Sequence, residues 1–256
     1  MDIKKDVQQQ FGKSAEAYVT SAIHKNGKDL QRLLEIAILT GEEELLDVAA
    51  GGGHTANAFA PYVKKVTALD LTEEMLVAAE KFISGNGHHN VHFVKGDAEH
   101  LPFANESFDI VTCRIAPHHF PDVSAFINEV KRVLKPSGQF LLDDNVTPEE
   151  DEFDLFFNTI EKLRDYSHYR AWKKSEWLQM IELAGFDIME WHRFEKNFLF
   201  EPWCNRMNLA ESDKESLAQY FLGATQKIKD KFRIVIENNQ VISFQGEAIV
   251  LNALKR

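Results

Sequence analysis

Only two cysteines, Cys113 and Cys204, occur in the 256 residues, and no Cys-x-x-Cys spacing exists. Neither a disulfide framework nor a zinc knuckle is therefore indicated. Basic charge is scarce too: 29 Lys and Arg face 40 Asp and Glu, a net charge of −11 at pH 7. An acidic surface repels phosphate backbones, and the short "KDKFR" at 229 to 233 is no basic patch, so no nucleic-acid partner is expected. No apolar run approaches the ~18 residues that span a bilayer. The opening "MDIKKDVQQQFGKS" is polar and has no signal-peptide core, which points to a cytoplasmic protein. "HHNVH" at 88 to 92 reads as a solvated loop and strand face, and no metal site is expected. What is present is a globular composition, 44% hydrophobic and 27% charged. A chain of this length can bury a core in one domain that carries insertions.

Helical and strand periodicities alternate, the pattern of an α/β layered domain. "KDLQRLLEIAIL" (28 to 39) sets Leu30, Leu33, Leu34, Ala37 and Ile38 on one helical face. "EELLDVAA" reads as a buried strand, and "HTANAFAPYV" as the helix that follows its glycines. A second strand ends at Asp70, with Thr72 as the N-cap of the next helix. "VHFVKGDAEHLPF" holds a third strand and "FDIVTCRIA" a fourth. "DVSAFINEVKRVL" is a helix stopped by "KPSG", ahead of a fifth strand, "QFLLDD". The rhythm then breaks at 146 to 172, an acidic helical insertion. A helix closing at Gly185, a sixth strand ("FDIMEWHRF"), a second helical insertion at 200 to 230 and a turn-linked pair of β segments complete the chain. The expected architecture is one doubly wound, mostly parallel Rossmann-like sheet. An N-terminal helical cap (1 to 44) would precede a ligand-binding half (45 to 145).

"LLDVAAGGGHTANAF" (45 to 59) places three glycines at the carboxyl end of the first strand, where open parallel sheets bind ligands. Glycines there accept φ > 0 and let backbone N–H groups approach a ligand. Gly51, Gly53 and Ala56 also satisfy G-x-G-x-x-A, so a dinucleotide site is formally allowed, as is a turn with no ligand at all. Three acids favour a nucleoside without phosphate. Asp47 sits just before the turn, where it would repel a pyrophosphate but suit an ammonium group or the turn's own amides. Asp70 can accept both hydroxyls of a ribose. Asp97 can accept an exocyclic adenine amine, with the Ala98 N–H beside a ring nitrogen. Asp70 and Asp97 can equally cap the helices that follow them.

"LLDVAAGGG", "ALD", "GDAEHLPF", "FDIVTCRIAPHHF" and "VLKPSG", in that order, resemble the motifs of class I S-adenosylmethionine-dependent methyltransferases, most closely the branch related to ubiquinone and menaquinone biosynthesis. The resemblance covers about residues 11 to 145, and "LAGF" with its strand carries it to about 195. It implies a seven-stranded sheet with an antiparallel C-terminal strand, S-adenosylmethionine as cofactor, and a small organic molecule as methyl acceptor. Gly51 and Gly53 would flank the methionine part and the ribose, with Asp70 on the ribose hydroxyls and Leu71 against the adenine. Asp97 and Ala98 would read the adenine edge. Arg114 and Ile115 would lie under the methionine tail, and the upstream aromatic pattern falls on Phe11 and Tyr18, with Tyr18 closing over the carboxylate. One position departs from the family pattern: Ala49 stands where its first glycine is usual.

"APHHF" puts His118 and His119 directly after the fourth strand, where a histidine can take a proton from an acceptor near neutral pH. His119 is the favoured base and His118 the alternative, with one of the pair free to pack or cap locally. The aromatics of the two insertions (Phe153, Phe156, Phe157, Tyr166, Tyr169, Trp172, Phe198, Phe200, Trp203) suit a small core, or a lid over an apolar acceptor pocket. Two competing functions share the turn: an NAD(P)-dependent oxidoreductase, and a module that binds S-adenosylmethionine without turning it over. No hydride-transfer constellation accompanies the first.

Overall fold

The computed structural model describes residues 3–12 and 27–256. Helices α1 (Ile3–Gly12) and α2 (Lys28–Glu35) precede the sheet. The first half then alternates β1 (Glu44–Val48), α3 (His54–Phe59), β2 (Lys65–Asp70), α4 (Glu73–Gly85), β3 (Val91–Lys95) and β4 (Phe108–Arg114). A 3-10 turn, Pro117–His119, leads into α5 (Val123–Val133) and the long β5 (Leu134–Thr147). Beyond it come α6 (Asp151–Arg164), the two-residue β6 (Trp172–Lys173), α7 (Lys174–Leu183) and β7 (Phe186–Leu199). The chain closes with α8 (Phe200–Asn205), α9 (Glu211–Leu222), α10 (Gln226–Lys231), β8 (Val235–Glu237) and β9 (Gln240–Lys255).

The sheet runs β3-β2-β1-β4-β5-β9-β7, with β6 and β8 attached to β5 and β9. Strands β1 to β5 pair in parallel, and β9 lies antiparallel between β5 and β7. Both expectations, the doubly wound parallel sheet and its antiparallel C-terminal strand, hold. Strand order reverses between β1 and β4, the place where such sheets leave a crevice for ligands.

Burial on both faces explains the unbroken apolar runs. Successive residues go to opposite sides: Leu45, Ile110, Leu141 and Val250 pack with α2, α3 and α4 residues Leu33, Phe59 and Ile83. Leu46, Val111, Leu142 and Leu251 join Phe126, Val130, Trp177 and Ile181 of α5 and α7. The edge strand β7 alternates exposed and half-buried residues and carries Glu190, Arg193, Glu195 and Lys196, charges that discourage further strand pairing. Asn238 and Asn239, both at positive φ (48° and 61°), turn β8 into β9, the backbone that a two-residue hairpin requires.

The insertions form a third cluster. Phe153, Phe156, Phe157 and Ile160 of α6 bury against Phe200, Trp203, Leu217, Phe221 and Phe244. Most of the aromatics flagged in the sequence are thus core, while Tyr166 and Tyr169 stay 44% and 46% exposed. The apolar stripe of residues 28 to 39 extends past its helix: α2 stops at Glu35, and Ile38 is 60% exposed.

Candidate active site

The carboxyl ends of β1, β2 and β4 open onto a cavity of about 1030 Å³, its solvent mouth included. The first turn owes its shape to residues in the left-handed region: Ala49 (φ 54°), Gly51 (φ 52°) and Gly53 (φ 81°). Ala49 pays about 1 kcal/mol for a conformation that glycine adopts freely. Gly51 lines the cavity, and a Cβ there would meet open space. Gly53 does not line it. A Cβ on Gly53 would stand 2.8 Å from Ile83 Cδ1 and 2.9 Å from Ala79 Cβ, so this glycine serves the approach of α4, and Gly52 takes its expected place on the wall. Asp47 is also off the wall. It is buried, accepting from the Ala56 N–H (3.1 Å) and the Thr112 hydroxyl (2.7 Å), and so ties the turn to α3 and β4. Burial pushes its carboxyl up to about 7 despite those bonds.

Asp70, the last residue of β2, lines the cavity. Its carboxylate accepts from the Gly51 N–H and the Thr72 N–H, each at 2.8 Å, and burial raises its pKa against both bonds. Thr72 holds the N-cap position of α4, yet its hydroxyl makes no capping bond. Leu71, Asp97, Ala98, Ala49 and Arg114 also line the cavity. Asp97 accepts from the Glu99 N–H (3.0 Å) and from Lys4 of α1 (2.6 Å), and Lys4 bridges on to Glu99. Arg114 is buried between Asp29 and Asp143, at 2.9 Å from each carboxylate. Burial works against ionisation of Asp29, but Lys196 and Arg114 outweigh it and hold that carboxyl well below the usual range. Asp143 has the reverse balance, and burial lifts it to about 7.

This donor set decides between the two ligand classes. A pyrophosphate needs free backbone N–H groups at the turn, and the Gly51 N–H already faces the Asp70 carboxylate. Asp70 and Asp97 instead offer carboxylate oxygens to hydroxyls and an amine, the groups of a nucleoside without phosphate, while Lys4 pairs with Asp97 and Glu99. The residues present therefore fit S-adenosylmethionine.

A second cavity, of about 1230 Å³ with its mouth, adjoins the first and shares Phe11, Ile115 and His119 with it. Ile115 is in the left-handed region at φ 51°, strained for a β-branched residue, and its N–H is held by the Asp143 carbonyl at 2.7 Å. Both histidines are buried. His118 Nδ1 lies 2.6 Å from Asp144, and His119 Nδ1 lies 3.0 Å from the Ser167 carbonyl. The wall is more charged than the expected apolar pocket: Lys28, Asp29, Glu161, Arg164, Asp165 and Lys196 stand beside Phe194, Phe198 and Trp203. Among the described residues no cluster of metal-ligating side chains occurs.

Sequence reasoning missed Lys4, Asp144 and Asp165, because each reaches the site from an element outside the motifs. Helix α1 lies across both cavities. Lys4 contacts Asp97, Gln8 donates to the Leu71 carbonyl (3.1 Å), Phe11 meets the His119 ring edge-on at 5.2 Å, and Gln10 donates to the Met207 carbonyl (3.3 Å). The expected Tyr18 lies outside the described residues.

The family model described as "Methyltransferase domain" matches residues 46–142. The uncharacterised methyltransferase YcgJ of Bacillus subtilis is 39% identical over 250 residues, which cover 96% of this chain and 98% of that protein. A demethylmenaquinone methyltransferase of Bacillus velezensis is 27% identical over 192 residues, covering 67% of this chain and 82% of that protein. The crystal structure of a Bacillus halodurans C-125 protein, 56% identical, superposes with a TM-score of 0.88 over 90% of this chain and 99% of the other. Nothing in the fold, the cavity or these relatives favours the oxidoreductase. With the ordered motifs, the 3-2-1-4-5 parallel core and a relative matched end to end, the chain belongs to the class I S-adenosylmethionine-dependent methyltransferases.

Proposed function

We propose that the first cavity seats S-adenosylmethionine and that the second receives a small organic methyl acceptor. The observation that carries this reading is the meeting of the two cavities at Phe11, Ile115 and His119. Asp70 takes the ribose hydroxyls, and Leu71 lies against the adenine. Asp97 and Ala98 read the adenine edge, while Ala49, Gly51 and Arg114 face the methionine part. The bound cofactor supplies an electrophilic methyl on a sulfonium, transferred by in-line displacement, so positioning of the acceptor contributes most of the rate. His119 shapes the passage between the cavities. The insertion helices α6 and α8 supply Glu161, Arg164 and Trp203 to the second cavity and act as its lid. Among the described residues no helix is long and apolar enough to cross a membrane. The proposed enzyme is cytoplasmic, with no nucleic-acid partner and no metal at its site.

Calorimetry with S-adenosylmethionine, S-adenosylhomocysteine and NAD tests the cofactor half. Both S-adenosyl compounds should bind and NAD should not; the opposite order would overturn the reading. Release of S-adenosylhomocysteine across a library of small metabolites tests the acceptor half. A protein that binds the cofactor but turns over no small molecule would be a binding module instead.

A further inference from the structure

The two adjacent histidines of the Pro117–His119 turn are held in opposite ways. Asp144 lies on β5 with no solvent exposure, and its Oδ1 meets His118 Nδ1 at 2.6 Å while also accepting the Asn145 N–H at 2.9 Å. Nδ1 of His118 thus carries the proton toward Asp144. Nε2 is left without a partner among the described residues, on a ring that lines the second cavity. The backbone fixes the same residue from the other side, since the His118 carbonyl accepts from both the Tyr169 and Arg170 N–H groups at 2.9 Å. A buried carboxylate on Nδ1 with Nε2 facing a ligand space is the arrangement that orients a histidine base.

His119 has no such carboxylate on Nδ1. That nitrogen donates to the neutral Ser167 carbonyl, and Nε2 is 4.0 Å from Asp165, beyond hydrogen-bonding distance. The ring is wedged against Phe11 and against His118, whose centroid is 4.3 Å away. The groups around the pair come from every neighbouring element: Asp144 on β5, the buried Cys113 thiol on β4, Glu161 and Arg164 on α6, and Asp165 and His168 in the following loop. Burial opposes charge on both rings. At His118 the Asp144 carboxylate outweighs burial and raises the pKa; at His119 burial and the neighbouring His118 charge lower it.

We infer that His118, oriented by Asp144, is the proton acceptor of the second cavity, and that the methyl acceptor is a small polar molecule whose nucleophilic atom carries an exchangeable proton. In the step concerned the acceptor's X–H bond breaks, its proton passes to His118 Nε2, and its electron pair stays on X. His118 becomes an imidazolium paired with Asp144 and later returns the proton to solvent. Asp144 is the positioning residue, and His119 is a neutral wall between the cavities. This inference rests on the proposed methyltransferase site and exchanges the roles that the sequence favoured for the two histidines. Glu161 adds a second feature of the same kind. Its Oε2 binds Arg164 at 2.6 Å, while its Oε1 is buried with no hydrogen-bond partner among the described residues, so the wall keeps an acidic group next to the histidine pair.

The test is an imidazole nitrogen NMR titration of the full chain, histidine-labelled and loaded with S-adenosylhomocysteine. His118 should titrate above free histidine and His119 below it, and Asp144→Asn should lower the His118 midpoint by about 1–3 pH units. The reverse order of midpoints, which needs only the wild-type protein, would overturn the inference, as would an unmoved His118 in a folded Asp144→Asn. The second readout is S-adenosylhomocysteine release with catechol, phenethylamine and acetylacetone, against dimethyl sulfide and trimethylamine, which have no proton to lose at the nucleophile. Turnover restricted to the first three, with an ascending pH limb that moves down in Asp144→Asn, supports the pair. Preferred turnover of dimethyl sulfide or trimethylamine would refute it. Failure of the wild type to bind S-adenosylmethionine in calorimetry would instead remove the underlying site.

Discussion

Asp70→Asn separates what the second strand's terminal acid does for the fold from what it does for the ligand. In the wild type each carboxylate oxygen accepts one backbone N–H at 2.8 Å, from Gly51 and Thr72, which leaves each with further acceptor capacity on a residue that lines the cavity. The amide retains one acceptor oxygen, so either Gly51 or Thr72 would face an NH2 group. Leaving one donor unsatisfied costs about 1–3 kcal/mol, or a fall in Tm of roughly 3–10 °C for a chain of this size. Burial already raises the Asp70 pKa, so loss of the charge recovers some desolvation and favours the lower half of that range. On the ligand side the ribose contact proposed for Asp70 would lose one of its two charge-assisted bonds. S-Adenosylhomocysteine affinity should therefore drop about 10–100-fold. Asp70→Ala, with both acceptors gone, should lose more on both counts. Calorimetry and thermal unfolding on the three proteins read the two effects separately. An Asp70→Asn protein with wild-type Tm and an affinity within threefold of wild type would show that the carboxylate is neither a turn clamp nor a ribose ligand.

Ala49→Gly should relieve the strain at φ 54° and clear a methyl from the cavity wall, tightening S-adenosylhomocysteine by a few-fold while leaving stability within about 1 kcal/mol; weaker binding would mean that the methyl makes a useful contact. Gly53→Ala should destabilise by about 2–4 kcal/mol in denaturant unfolding, because the new Cβ meets Ala79 and Ile83 at positive φ, and a wild-type midpoint would contradict the packing. Asp47, lifted to about 7 from 3.8, favours the folded state most below pH 3.8 and loses that contribution as pH rises to about 7. Asp47→Asn should accordingly gain on wild type between pH 4 and pH 8, by up to about 4 kcal/mol, and parallel pH–stability curves would rule this out. Trp203→Ala, which removes a side chain buried among Phe198, Phe221 and Phe244 and lying under Arg164, should cost about 3–5 kcal/mol and open the second cavity, with S-adenosylhomocysteine binding retained. Equal losses of fold and cofactor affinity would tie the insertions to the first cavity as well.

The sequence alone determined the parallel half of the sheet and the ends of its strands. Runs such as "LLDVAA" and "FDIVTC" are apolar on both faces, which only a strand covered on both sides requires. An acid or glycine directly after such a run must stand at the carboxyl edge, whatever the rest of the chain does. For this reason the ends of these runs put Asp70, Asp97, Ala98 and Gly51 at the carboxyl edge, and all four line the first cavity. Local pattern could not separate a residue on that wall from one just behind it. Asp47 and Gly53 belong to the same motif as Gly51, yet tertiary contacts with Thr112, Ala79 and Ile83 turn them away from the ligand space.

The second cavity lay further beyond reach, because its wall comes from α1, α2, β5, α6 and β7, elements far apart in sequence. The partner of each histidine followed from that assembly. "APHHF" is consistent with either ring as base, and only the docking of β5 beneath the turn and of residues 165–170 beside it gives His118 a carboxylate and His119 a carbonyl. Charge and tautomer depend on distances of a few ångströms between residues 26 and 48 positions apart. No periodicity or spacing encodes them, and the packed sheet decides them.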